Sequence, residues 1–272
     1  MSGTRRLRYP GTCVGCAASL PAGSTARWDS QTRTVTCGDC LAREATDAGE
    51  LPSIGTAGGS ARREYERRKD GREKRIRDEH PWIGGLILAL NEDPRNIRAF
   101  GIGAAGETEL GGHLDTLTAR KAAITVHDRR IVRPRGQIDH VTVGPSGVFV
   151  IDAKNYTGMV AIRSTGFLGL GDTRLYVGRR DVTALATKMS KQVDAVRNAL
   201  AGLPEAAGVP ITPVLAFVDA QWPLFFTPDE YEGVLIEGEG STGRLVSRDG
   251  PLPWETCVLL AHRVAQRLPA AS

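Results

Sequence analysis

The sequence predicts an α/β protein, one mixed β-sheet flanked by helices, with a small metal-binding module in front of it. Apolar, β-branched segments recur near 122–127, 138–143, 148–154, 159–163, 174–178, 212–218 and 233–237. Stretches with helical spacing fall at 104–117 and 184–200, and "WETCVLLAHRVAQRL" closes the chain as an amphipathic helix. Two CxxC pairs stand apart at the front. Strands interleaved with helices in this order pack as a layered α/β or α+β sandwich.

The chain has 272 residues, room for one fairly large domain and a small appendage. It is 41% hydrophobic and 24% charged, ordinary for a globular protein. No apolar run approaches the ~20 residues of a membrane span. "MSGTRRLRYPGTC" has basic residues but no apolar stretch or cleavage site, so a cytoplasmic location is expected. A net charge of +4 leans mildly towards polyanionic partners.

Cys13-x-x-Cys16 and Cys37-x-x-Cys40 are separated by 20 residues. That spacing matches a Cys₄ zinc site, each pair giving two thiolates to one tetrahedral ion. The strand-like segment between them suits a zinc ribbon. Disulfides would require export, which nothing here signals. Cys257, alone in an apolar stretch, reads as a small buried hydrophobe.

The module is taken as 1–44. Residues 45–61, "ATDAGELPSIGTAGGSA", are small, polar and glycine-rich and read as a flexible linker. A charged helix and connecting segment follow over 62–99, where "RREYERRKDGREKRIRDE" holds nine basic and six acidic side chains. Glu64–Arg68 and Glu73–Arg77 have the i,i+4 spacing of an exposed helix. The main domain is placed at 100–272. "GIGAAG", Gly101 to Gly106, fits a dinucleotide fingerprint, but no buried strand leads into it. Its glycines are expected to loosen the entry to the helix carrying Glu107.

The chemistry is concentrated in "QIDHVTVGPSGVFVIDAKNYTG". "GPSG" is turn chemistry between two apolar arms, so a hairpin with Val143 facing Val148 is expected. Asp139 then lies opposite Asp152, and alternation puts Asp152 and Lys154 on one face. Facing carboxylates repel. The pairing is tolerated if a divalent cation sits between them, or if one acid shares a proton or a basic partner; an Asp–Lys ion pair is the plainer alternative. Glu107 on the preceding helix is the natural fourth member. Carboxylates suit Mg²⁺ or Mn²⁺ and offer no soft ligand for zinc. Arg129, Arg130, Arg133 and Arg135 crowd the loop leading in and are candidate phosphate contacts, or else a solvated basic turn. His140 should point away from Asp139 and serve packing or hydrogen bonding.

These residues carry a resemblance. An acid, then D-x-K, with an upstream helical glutamate resembles the restriction-endonuclease-like PD-(D/E)xK nucleases; "GAAGETEL", the hairpin and "KMSKQ" resemble the nuclease-related (NERD) domain over roughly 100–220. The resemblance implies a restriction-endonuclease-like sheet and metal-dependent DNA cleavage. It assigns Glu107, Asp139, Asp152, Lys154 and Gln192 to the site, with aspartate at 152 where the family often has glutamate. The expected activity is Mg²⁺-dependent hydrolysis of DNA, the ribbon assisting nucleic-acid or protein binding. Its rivals are a non-catalytic nucleic-acid-binding protein and an interaction adaptor that keep the fold.

Overall fold

The computed structural model describes residues 2–47, 49–83, 85, 87–88, 94–132, 135–164, 171–224 and 229–271. The N-terminal module comprises β1 (Ser2–Arg6), β2 (Gly11–Thr12), β3 (Ser19–Leu20), β4 (Thr25–Asp29), β5 (Thr34–Cys37) and α1 (Gly38–Asp47). β1, β4 and β5 form one antiparallel sheet and β2 and β3 a second. Leu7, Ala26 and Val35 make a core too small to stand without a staple.

The charged helix is α2 (Gly59–Glu79), and α3 (Arg95–Ala119) begins earlier than the periodicity implied. Then come β6 (Ile124–Ile131), β7 (Gly136–Gly144), β8 (Gly147–Lys154), β9 (Gly158–Ser164), β10 (Thr173–Val177) and β11 (Arg180–Asp181). α4 (Thr183–Leu200), β12 (Ile211–Phe217), β13 (Ala220–Gln221), β14 (Glu230–Tyr231), β15 (Val234–Gly238), α5 (Glu239–Val246) and α6 (Trp254–Arg267) complete the chain. The main sheet is mixed, ordered β14-β15-β12-β8-β7-β6, with β12 parallel to both β8 and β15. The expectation of a single sheet is corrected in one respect. β9, β10, β11 and β13 form a separate four-stranded sheet, because the chain leaves the main sheet after Lys154.

β8 shows why the layers form. Val148 and Val150 point into the core shared with α4 and α6, whereas Phe149, Ile151 and Ala153 pack with Leu110 and Leu114 of α3. Both faces are covered, which explains a nearly unbroken apolar run. The β7–β8 register is Val143↔Val148, as the turn chemistry requires, though Gly144 and Gly147 also pair and the connection is only Pro145-Ser146. Gly147 has φ 147°, and a Cβ there would lie 2.8 Å from Pro210.

The stretch read as a flexible linker instead runs as a strap across the main domain. Glu50 O accepts from His262 Nε2 at 2.9 Å, and Ile54 O from the His127 N–H at 2.6 Å. α1 lies against α6, where buried Arg263 pairs with Asp39 and donates to Ala199 O and Ala201 O at 2.9 and 3.1 Å. The glycines of "GIGAAG" lie inside α3 rather than loosening its entry. A Cβ on Gly106 would stand 2.7 Å from Asn155 Cβ, so small size there permits close packing. Cys257 is buried, as expected. Among the described residues no helix is long and apolar enough to cross a membrane.

Two adjacent glycines of α3 separate these effects. A Cβ on Gly111 would meet Ala57 of the strap at 2.2 Å, whereas Gly112 faces open space. Gly112→Ala should stabilise by about 1 kcal/mol through helix propensity, and Gly111→Ala should destabilise by about 1–3 kcal/mol through overpacking. Urea titrations of the two variants check this.

Candidate active site

The end of the β7–β8 hairpin gathers Asp139, Asp152 and Lys154. Asp139 is buried, and its Oδ2 accepts from the Ala153 N–H at 3.0 Å. The Lys154 ammonium lies between the two acids, 2.7 Å from Asp152 Oδ2 and 3.5 Å from Asp139 Oδ2, and donates to Ala153 O at 2.9 Å. The basic partner therefore relieves the carboxylate pairing, one of the two ways such a register is tolerated. From the opposite layer, Gln192 of α4 donates to Asp152 Oδ1 at 3.4 Å. Its Oε1 is buried and finds no partner, an acceptor left aimed into the site.

Glu107 projects from α3. Burial is the main cause that raises its carboxyl, to about 8, and the charge of Asp139 adds to it while Lys154 opposes. Part of that burial comes from the strap: a Cβ on Gly58 would sit 2.8 Å from Ala104 O and 3.5 Å from Glu107 Cβ. Asp139 is likewise pushed up to about 7 by burial, with Lys154 opposing. Burial works against the charge of Lys154, but Asp139 and Asp152 outweigh it and hold its pKa above the ordinary value. Three carboxylates share one ammonium, so the cluster retains a proton near neutrality, and Glu107 is its seat.

Residues 102–218 match the family model of the nuclease-related domain. This segment is similar to the NERD domain. No curated protein and no solved structure matches the chain. The match contains Glu107, the hairpin and Gln192, and leaves the cysteine module, the strap and α2 outside it.

The basic cluster does not behave as one surface. Arg129 is corrected: it lies in β6, 1% exposed, and its guanidinium donates to Ser53 O and Leu268 O. It clamps the strap to the C-terminus and is buried away from any phosphate. Arg130 and Arg135 are exposed, and Arg133 lies outside the described residues. His140 does point away from Asp139, and its Nδ1 lies 2.8 Å from His127 Nδ1. His127 Nε2 in turn lies 2.9 Å from Asp115. Sequence patterns missed the strap, because small residues have no periodicity. The contact of the buried Asp128 carboxylate with the Ser60 N–H, at 2.8 Å, was equally hidden.

The four N-terminal cysteines converge, and among the described residues they are the cluster able to hold a metal ion. Cys13 Sγ and Cys40 Sγ are 3.7 Å apart, and Cys16 Sγ and Cys37 Sγ 3.6 Å. Sulfurs at ~2.3 Å from a tetrahedral centre stand about 3.8 Å apart, so the set fits one ion without disulfides. Burial raises the Cys13 thiol, but N–H groups of Cys37, Cys16 and Gly15 outweigh it and bring it down to about 6.

The ion pair and the protonated acid make opposite predictions in chelator. Asp152→Asn strands Lys154 and should cost about 1–3 kcal/mol. Glu107 binds its proton more tightly folded than unfolded, so its contribution is full below about pH 4 and is lost as pH rises through about 8. Glu107→Gln should therefore gain stability over wild type progressively up to pH 8 and differ little near pH 4. Thermal melts across that range test both; a Glu107→Gln variant less stable than wild type at pH 8 would contradict the assignment.

Proposed function

We propose that the chain is a Mg²⁺- or Mn²⁺-dependent nuclease that hydrolyses DNA phosphodiester bonds. The observation that carries this reading is the Lys154 ammonium held between Asp139 and Asp152, with Glu107 on the adjoining helix, inside a nuclease-related domain. Glu107, Asp139 and Asp152 are hard oxygen donors, with no thiolate or imidazole among them, which fits these ions. When bound, such an ion lowers the pKa of water and neutralises charge on the phosphate.

The side chains do the rest. Asp139 is oriented by the Ala153 N–H, and Asp152 by Gln192 and Lys154, so the ligand oxygens are fixed before substrate arrives. Glu107 sheds its proton before it can serve as a ligand. Lys154 remains charged and stabilises the negative charge that develops on the phosphate. The buried Gln192 Oε1 is free to accept from the attacking water. Arg130 and Arg135 offer phosphate contacts that position the backbone without reading sequence. The ribbon's four cysteines hold structural Zn²⁺, and the protein acts in the cytoplasm. An adaptor with an idle nuclease fold is the weaker reading, because such a protein has no need to hold Lys154 against a buried Asp139 and the half-buried Asp152 and Glu107.

Incubation with linear and circular DNA tests the assignment. Cleavage should require added Mg²⁺ or Mn²⁺, rise with pH to about 8, and vanish in Lys154→Ala while DNA binding persists. Full activity in Lys154→Ala would sink it. Purified protein should hold one zinc per chain. Cys16→Ser should lose that ion and unfold the module, and it should also loosen the main domain, since Arg263 and the strap join the two. Elemental analysis, with melts followed at both ends of the chain, checks this.

A further inference from the structure

The N-terminal module carries a groove of 690 Å³, within the ~300–1,000 Å³ range of ligand sites. Arg5, Arg6, Arg8 and Arg33 line it together with Tyr9 and Trp28, and no acidic side chain contributes. The Arg5 guanidinium stands 5.7 Å from the Trp28 ring centroid, and that of Arg8 5.6 Å from Tyr9. Trp28 is anchored against the small core of Leu7, Ala26 and Val35, whereas Tyr9 is 69% exposed. Four like charges around one concavity repel each other, and an exposed aromatic ring forgoes burial. Neither helps a module with so few apolar residues to fold. Both are accounted for by a ligand that is polyanionic and has flat apolar faces.

We propose that this groove binds single-stranded DNA, with unpaired bases stacking on Tyr9 and Trp28 and the arginines neutralising phosphates. Rings interleaved with arginines suit a single strand, whose bases are free to leave their own stack. A duplex keeps its bases stacked and offers this groove only phosphates. Stacking on rings and neutralisation of phosphates are open to every base, so the affinity is general. The choice of DNA rests on the nuclease reading, whereas affinity for a single strand does not.

The test uses the full zinc-loaded chain without added Mg²⁺ and follows fluorescence anisotropy of short labelled oligonucleotides. A single DNA strand should bind at least tenfold tighter than the matching duplex. Tyr9→Ser should weaken it about five- to tenfold, in keeping with the loss of one stacked base. The double variant Arg8→Gln/Arg33→Gln should weaken it further and lower the salt slope by about 1.4. Both variants change exposed side chains, so unchanged zinc content serves as the folding control. Variants that bind like wild type, a duplex bound as tightly as the single strand, or RNA preferred tenfold over DNA would each overturn the proposal. A wild-type chain that binds single strands but cleaves nothing overturns the nuclease reading and leaves the groove assigned.

Discussion

The Lys154 ammonium is the charge around which the domain is arranged. The two-residue turn between β7 and β8 sets one register, and that register carried to the hairpin's end puts Asp139 across from Asp152. Without a cation the pairing is repulsive, and burial under α3, α4 and the strap amplifies the repulsion. Lys154 shares a face with Asp152 and reaches both acids, so the positive charge comes from the strand that creates the problem. One ammonium does not neutralise three carboxylates. The surplus appears as a proton on Glu107, whose carboxyl rises to about 8. The cluster thus keeps an excess of acidic groups over its one ammonium.

Part of the cover over that cluster comes from chain outside the family match. Ala57 and Gly58 lie on α3 beside Glu107, and Asp128, at φ 53°, turns its carboxylate to cap α2 through Ser60. Arg129 then fastens Ser53 and Leu268 from beneath. These contacts bring distant segments together around one strand, and they connect the cysteine module to the layer that carries Glu107 through backbone rather than through a loose tether. Local unfolding of the module therefore raises solvent access to Glu107, lowering its pKa towards the ordinary value.

What was legible in the sequence was local. The hairpin register followed from "GPSG" and the alternation around it, and the cysteine quartet from spacing alone, since both depend on neighbours a few residues away. Glu107 was reached as the acid on the helix preceding the hairpin, whereas Gln192 came from resemblance alone, because no period places α4 at the same strand end. The strap failed as a prediction because its stability lies in backbone carbonyls, which every sequence possesses. Arg129 failed for the same reason: in "HDRRIVRPRG" it is indistinguishable from its exposed neighbours, and only carbonyls from residues 53 and 268 make its burial affordable. The second sheet was lost because strand periodicity reports faces and not partners.

The buried histidines show how far the polar logic extends. His140 is held neutral by burial first, with His127 and Lys154 adding to it. If His127 donated from Nδ1 to His140, its Nε2 would face the Asp115 carboxylate as a second acceptor, which a neutral ring cannot sustain. The reverse assignment satisfies both contacts: His140 donates from Nδ1, and His127 accepts there and donates from Nε2 to Asp115. That leaves the bare Nε2 of His140 as the unpartnered atom, and Nε2 is indeed the buried nitrogen that lacks a hydrogen bond. These two contacts tie Asp115 of α3 to β6 and β7, two turns along the helix from Glu107. Buried Leu110 and Leu114 pack the same helix against β8. The apolar contacts hold α3 against the sheet, and the histidine contacts add a directional link that apolar groups cannot make.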